Sequence, residues 1–290
     1  MTRISKYLSL VKFEHTLFAL PFSLAGFSLA LTRGNATFTW TALVFVLMCM
    51  VSARNAAMAF NRWADRGIDL INPRTRKRDL PAGKISAASA FRFVLLNVLI
   101  FIFSARMLNP LCFYLSPLAL VVILGYSYTK RFTPLSHFVL GLGLAIAPTG
   151  AYLALTGTFD LLPVLLSFLV LCWTGGFDIM YALQDEKFDK ENKLFSLPSR
   201  LGIRRALMIS SVVHTLSIIL AVILGVTGDF GVLYWLGTAG FCGMLIWQHL
   251  IVKPDDLSRV EEAFFNGNSV ASTLFSCFMM ADLFAGKYFF

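Results

Sequence analysis

Apolar runs of about twenty residues recur along the chain, separated by short polar or turn-forming stretches. Each run is long enough to cross a ~30 Å hydrocarbon core at ~1.5 Å per residue. The pattern predicts nine spanning helices, over residues 13–32, 41–60, 88–107, 110–127, 136–155, 161–181, 205–226, 231–251 and 268–286. Turn signals fall between them at Gly34-Asn35, from Pro73 to Gly83, and at Asn109-Pro110, Thr133-Pro134, Gly228-Asp229 and Lys253-Pro254. The first run has no small-residue cleavage pattern and ends in Thr32-Arg33-Gly34, so it is expected to be a span and not a removed signal peptide. Loops on one side are short, and those on the other are longer and basic. Of the 25 Lys and Arg, only Arg33, Arg106 and Lys287 fall on the short-loop side, which leaves 22 opposite. The positive-inside rule then puts the N-terminus and the long loops in the cytoplasm, in a bacterial inner membrane, and the C-terminus outside.

Composition strengthens this picture. The 290 residues are 57% hydrophobic and only 14% charged, whereas soluble domains carry roughly 25% charged residues. The net charge of +9 could suggest nucleic acid, but in a lipid-embedded chain it reflects basic cytoplasmic loops, which also attract anionic headgroups and phosphate-bearing substrates. No nucleic-acid partner is expected; the lipid bilayer is. Cys49, Cys112, Cys172, Cys242 and Cys277 all lie in apolar runs without CxxC spacing, so they read as small buried hydrophobes.

Acidic residues are scarce, and two matched groups of them stand out. The end of the second span reads Asn61-Arg62-Trp63-Ala64-Asp65-Arg66-Gly67-Ile68-Asp69, and the end of the sixth reads Tyr181-Ala182-Leu183-Gln184-Asp185-Glu186-Lys187-Phe188-Asp189. The two Asp pairs are 120 residues and four spans apart. This weak repeat predicts a single all-α domain over 1–290 with parallel four-helix halves, roughly 1–130 and 131–251, plus a ninth helix. On continuous helices Asn61, Asp65 and Asp69 would share one stripe, as would Tyr181, Asp185 and Asp189, with Asp178 two turns deeper. A single DxxxD at a membrane edge is ordinarily a solvated helix end. Two copies at equivalent helix ends, in a chain with only 16 acids, point to chemistry instead. Facing carboxylates repel unless a cation sits between them, and Mg²⁺ typically takes one or two carboxylates, waters and substrate phosphate oxygens. The expected site is therefore Mg²⁺ bridging Asp65, Asp69, Asp185 and Asp189 to a diphosphate, whose neutralisation makes it a better leaving group. Asp178 within an apolar span implies a functional role.

Basic residues crowd the same surface, in Arg74-Thr75-Arg76-Lys77-Arg78 and in Lys130-Arg131, and Arg54 lies seven residues before Asn61 on nearly the same face. Any one of them could answer the positive-inside bias alone. Arg78 and Lys130 are the best candidates for donating to a diphosphate. His15, His214 and His249 are weaker candidates for acceptor contacts, each more often a hydrogen-bonded helix residue, and His137 beside the basic loop reads as interfacial.

At NRWADRGID, the RTRKRDLPAG loop, YSYTKR at 126–131 and DIMYALQDEKFD at 178–189, the chain resembles the UbiA superfamily of intramembrane prenyltransferases over nearly its whole length. The resemblance implies a nine-helix bundle around a cavity for the isoprenyl tail, with Asn61, Asp65, Asp69, Asp185 and Asp189 binding Mg²⁺ and diphosphate. It implies contacts from Tyr181, Arg78 and Lys130 to the diphosphate or the acceptor. Within the superfamily the chain is most similar to the 4-hydroxybenzoate polyprenyltransferase-like branch. More narrowly it resembles members of the futalosine route to menaquinone, through residues 12–16, LPAGKIS at 80–86, Gln248-His249, Ala263-Phe264-Phe265 and Asn268. Two positions depart from the family: Asp79 stands where proline is common, and Lys193 where a glycine is usual. Lysine does not readily copy a glycine turn, which leaves the conformation of 190–198 open.

The implied reaction is Mg²⁺-dependent transfer of a polyprenyl group from polyprenyl diphosphate to an aromatic acid acceptor, in ubiquinone or menaquinone biosynthesis. Asp178 would orient the acceptor or take a proton. Aromatic faces can shelter an allylic cation, but most of the 28 Phe must simply face lipid or neighbouring helices. The rival readings are an ion-coupled secondary transporter, since repeats and intramembrane acids also mark carriers, and a prenyl-lipid binder or lyase-type relative.

Overall fold

The computed structural model describes Tyr7, residues 9–11 and residues 18–289. The 12–16 motif, His15 included, lies outside the described residues. The described chain is helical: α1 (Leu20–Thr32), α2 (Trp40–Ala64), α3 (Arg66–Ile71), α4 (Ala87–Leu108), α5 (Pro110–Thr129), α6 (Ser136–Thr156), α7 (Leu161–Ala182), α8 (Glu186–Glu191), α9 (Leu197–Leu201), α10 (Ile203–Thr227), α11 (Val232–Ile251) and α12 (Asn268–Phe289). A 3₁₀ turn over Leu183–Asp185 precedes α8, and a π-helical turn over Ala263–Gly267 precedes α12.

Among the described residues, seven helical stretches are long and apolar enough to cross a membrane. Five of them agree with the hydropathy pattern to within a few residues at both ends, whereas Leu161–Glu191 runs past the predicted 181 and Val260–Gly286 begins before the predicted 268. The two remaining predicted spans fall short of that measure. α1 starts only at Leu20, where Pro21 suits a first helical turn, and its 13 residues span less than a hydrocarbon core. α11 is long enough, but Tyr234, Trp235, Trp247, Gln248 and His249 dilute its apolar residues.

The chain divides into two compact units. One holds Tyr7, residues 9–11 and Trp40–Tyr128, and the other holds 18–39 and 129–289. In the first unit α2 packs along α4, around Leu10, Val11, Ala59, Leu80, Ile85, Ala90 and Val94. In the second, α7 is the central helix: it packs on α6 and α10, while α1 packs on α6 and α12, and α11 on α12.

Small residues set these approaches. On α10, Ala206, Ser210, Val213, Ser217, Ala221 and Leu224 recur at steps of three and four and are buried. Val212, Leu216, Ile219, Ile223 and Val226 form the opposite, exposed stripe, as expected of a face turned to lipid. Ser210 Oγ donates to the Gly176 carbonyl (2.7 Å) and Ser217 Oγ to the Leu169 carbonyl (3.0 Å), so hydroxyls join α10 to α7. A Cβ at Gly176 would run into the His214 ring, and one at Gly26 of α1 into the Pro148 backbone of α6. Glycine is what lets both pairs close. The five cysteines carry free thiols, but none is buried as their apolar surroundings suggested: four are half-buried and Cys277 is exposed, because their helices turn those faces away from the packed core.

Candidate active site

Each aspartate motif follows the end of a long apolar helix, yet neither lies on a continuous helix. α2 ends at Ala64; Asp65 adopts φ −93°, ψ 8°, and α3 begins at Arg66. α7 ends at Ala182, the 3₁₀ turn follows, and Asp185 adopts φ −100°, ψ 4° before α8. The expected unbroken stripes are thus corrected: the helix breaks at the first aspartate of each motif. In the first motif the spacing survives, because Asp65 N still donates to Asn61 O (2.9 Å) and Asp69 N to Asp65 O (2.7 Å).

In the first unit, Asn61 Nδ2 donates to Asp65 Oδ2 at 3.0 Å. Asp69 is buried, and Arg78 Nη1 donates to both of its oxygens, at 2.9 and 3.1 Å. The loop carrying Arg78 is tied down locally. Thr75 Oγ1 donates to the Asp69 carbonyl (3.1 Å) and Arg74 N to Asn72 Oδ1 (2.9 Å). Asp79, the residue standing in for proline, is buried too: it accepts from Ser9 Oγ at 2.9 Å and pairs with Lys84 Nζ at 3.5 Å. Arg54 donates to the Val11 carbonyl at 3.2 Å. Arg62 is buried within the electrostatic reach of Asp69, Asp79 and Arg78, a role its place in NRWAD did not reveal.

In the second unit, Asp185 and Asp189 are both buried. Lys130 Nζ stands 3.9 Å from Asp189 Oδ2, and that oxygen has no hydrogen-bond partner. Arg131, next to it, is exposed in the turn after α5. The loop beyond the motif resolves the question raised by Lys193. Leu194 N donates to the Asp189 carbonyl (2.8 Å) and Lys193 N to the Lys190 carbonyl (3.5 Å), a Schellman closure of α8. Lys193 occupies the left-handed position at φ 56°, so the lysine does copy the glycine turn.

Asp178 is two turns deeper on α7. His137, which looked interfacial in sequence, is fully buried and its Nδ1 lies 2.7 Å from Asp178 Oδ2. Tyr181 lies tilted against Phe264 of the π-helical turn, with ring centroids 4.2 Å apart and planes at 33°, and Phe264 in turn packs edge-on against Phe18 and Phe177. That turn is braced by Gln248 Nε2 donating to the Ala263 carbonyl (3.1 Å) and to Asn268 Oδ1 (2.9 Å), which also accepts from Trp173 Nε1 (3.1 Å). His214 bonds to the Trp173 carbonyl (3.2 Å) and to His249 (3.0 Å), and so is a hydrogen-bonded helix residue.

No three His, Cys, Asp or Glu side chains gather as a protein-only metal cage among the described residues. Mg²⁺ does not require one. It binds through one or two carboxylates and completes its shell with water and phosphate. A buried Asp189 oxygen without a hydrogen-bond partner, beside a second carboxylate in the same motif, suits such an ion.

Comparison with known proteins agrees with this geometry. The model of the UbiA prenyltransferase family matches residues 19–270. The 4-hydroxybenzoate octaprenyltransferase of Tolumonas auensis is 32% identical over 242 residues, covering 83% of this chain and 82% of its own length. That of Shewanella pealeana is 30% identical over 247 residues, covering 84% of each. The apo structure of a UbiA homolog from Aeropyrum pernix K1 matches with a TM-score of 0.84 at 32% identity, over 93% of this chain and 98% of that one. A UbiA homolog from Archaeoglobus fulgidus bound to DMAPP and Mg²⁺ shares the fold, with a TM-score of 0.76 at 20% identity, over 96% of this chain and 99% of that one. The ion-coupled carrier is set aside by these matches. The chain belongs to the UbiA prenyltransferase family and is an integral membrane prenyltransferase.

Proposed function

We propose that the protein transfers a polyprenyl group from polyprenyl diphosphate to an aromatic acid, with Asp65, Asp69, Asp185 and Asp189 as the ligands for Mg²⁺. The observation that carries this reading is that the second aspartate of each motif is matched to a base from a neighbouring loop. Asp69 has Arg78 at 2.9 Å and Asp189 has Lys130 at 3.9 Å. Such bases neutralise the carboxylates now and can turn to phosphate oxygens when a diphosphate enters.

When bound, Mg²⁺ neutralises the diphosphate and makes it a better leaving group. Arg78 and Lys130 donate to the departing diphosphate, and Asn61, Arg54 and Arg131 are further substrate-binding residues of this reading. The allylic C–O bond breaks with its electron pair going to the diphosphate. A ring carbon of the acceptor then forms the new C–C bond, and the ring proton leaves. Tyr181 and Phe264 present π faces that shelter positive charge on the allylic chain. Asp178 orients the acceptor or takes its proton.

The relatives named above support 4-hydroxybenzoate as acceptor, in ubiquinone biosynthesis. The 80–86 and 248–268 motifs support a dihydroxynaphthoate in menaquinone biosynthesis. The proposed topology keeps nine spans, with the N-terminus and the basic loops in the cytoplasm. Support comes from 22 of the 25 Lys and Arg lying on one side. The test is incubation of membranes with a long-chain polyprenyl diphosphate, Mg²⁺ and either 4-hydroxybenzoate or 1,4-dihydroxy-6-naphthoate. The product mass identifies the acceptor. Diphosphate release with no prenylated product from either acid would sink the transferase reading in favour of a lyase-type relative.

A further inference from the structure

His137 lies near the start of α6 in the second unit, fully buried between two segments that carry the chemistry. Its Nδ1 is 2.7 Å from Asp178 Oδ2, and its Nε2 is 3.4 Å from the amide nitrogen of Leu197. A backbone N–H can only donate, so Nε2 must present its lone pair to Leu197. The proton of the neutral ring is then on Nδ1 and is donated to Asp178. A doubly protonated ring would set two donors against each other at Leu197. The tautomer is therefore decided by a main-chain amide, not by the local field alone.

Leu197 closes the loop that follows the second aspartate motif. Within that loop Leu194 N donates to the Asp189 carbonyl (2.8 Å) and Phe195 N to the Lys130 carbonyl (2.7 Å). Asp189, Lys130 and His137 thus each hold one amide of residues 194–197. The Asp178 side chain keeps 20% of its surface exposed, so the imidazole can restrain one oxygen while the carboxylate still reaches a ligand.

We infer that His137 is a positioning residue: it aims the Asp178 carboxylate at the acceptor and couples that aim to the loop holding Asp189 and Lys130. The inference rests on the reading that Asp178 engages the acceptor. Its distinctive consequence is a split in kinetics. Loss of the imidazole should weaken use of the acceptor and leave use of the prenyl diphosphate nearly intact. Glutamine can stand in, because its amide both donates and accepts. Asparagine is one carbon shorter and cannot span both partners.

The experiment compares wild type, His137→Leu, His137→Gln, His137→Asn, Asp178→Asn and the His137→Leu/Asp178→Asn double variant in membranes, varying each substrate separately. His137→Leu is expected to raise the acceptor KM roughly tenfold, the worth of one charge-assisted hydrogen bond, with the prenyl diphosphate KM changed less than about twofold. His137→Gln should restore most of the loss. The double variant should be within about twofold of Asp178→Asn alone, because residues acting as one unit are not additive. An unchanged acceptor KM in His137→Leu, or full additivity in the double variant, overturns the inference. If His137→Leu does not fold, the Gln and Asn variants decide, and equal acceptor KM values for those two overturn it as well. A silent Asp178→Asn removes the underlying reading itself. An impaired Asp178→Asn beside a silent His137→Leu removes only the role of His137.

Discussion

At Asp65 the chain leaves α2 with φ −93° and ψ 8°, and at Asp185 it leaves the turn after α7 with φ −100° and ψ 4°. Two stretches 120 residues apart thus make the same break at the same motif position, and each then runs a six-residue helix that buries its second aspartate. What holds that aspartate differs. Asp69 is gripped by one guanidinium nitrogen on both oxygens, whereas Asp189 Oδ2 faces an ammonium at 3.9 Å without a hydrogen bond, and the Ser196 side chain hydrogen-bonds the same carboxylate. Arg78 Nη1 is within hydrogen-bond distance of both Asp69 oxygens, while the Lys130 ammonium stands beyond that distance and acts as a mobile point charge. The first motif is therefore locked by its own loop. The second leaves a ligand position open and borrows its order from the 194–197 amides and the His137–Asp178 pair.

The strongest test of what the motifs share is Asp65→Ala beside Asp185→Ala. Each should lower prenyl transfer by on the order of a hundred- to a thousandfold or more, with membrane insertion intact on extraction and blotting. Full activity in either variant would mean that only one motif serves the reaction.

A second test addresses the difference. Arg78→Ala strands a buried carboxylate, so thermal unfolding in detergent should show a loss of about 2 kcal/mol, reduced from the fully buried case because Arg78 is 27% exposed. Lys130→Ala should cost less than ~1 kcal/mol. Equal losses would show that the hydrogen-bonded guanidinium and the more distant ammonium restrain their partners alike.

Arg78→Lys sharpens the same contrast. It should lose about 1 kcal/mol relative to wild type, making the first motif as loose as the second, and melting curves of the two single variants would reveal it.

The smallest expected effect is at Lys193, whose φ of 56° strains any residue with a Cβ. Lys193→Gly should raise stability by up to ~1 kcal/mol with activity unchanged, and Lys193→Val should lower it, since a β-branched side chain fits that region worst. A destabilised glycine variant would place the value of lysine in its side chain.

Much of this architecture was legible before any coordinates. The paired DxxxD motifs stood out because acids are scarce in this chain, and the basic loops beside them named Arg78 and Lys130. The helix breaks were hidden: neither Ala64-Asp65-Arg66 nor Leu183-Gln184-Asp185 contains the Gly or Pro that announces one. His137 was hidden for a different reason. It follows the loop that opens with Lys130-Arg131, while the partners that define it lie 41 and 60 residues away. The same is true of Asp79, whose Ser9 partner is 70 residues distant.

The amino-acid order by itself determined where the chain can enter lipid, which loops carry positive charge and which carboxylates recur at equivalent helix ends. Those follow from hydropathy and period, which are summed over neighbouring residues and need no knowledge of the fold. Only the tertiary structure decided which base meets which acid, which tautomer His137 holds and that Lys193 adopts a left-handed turn. The His137 tautomer and the Lys130–Asp189 pair depend on groups brought together from distant segments, while the Arg78–Asp69 pair and the Lys193 turn depend on loop conformations that hydropathy does not encode.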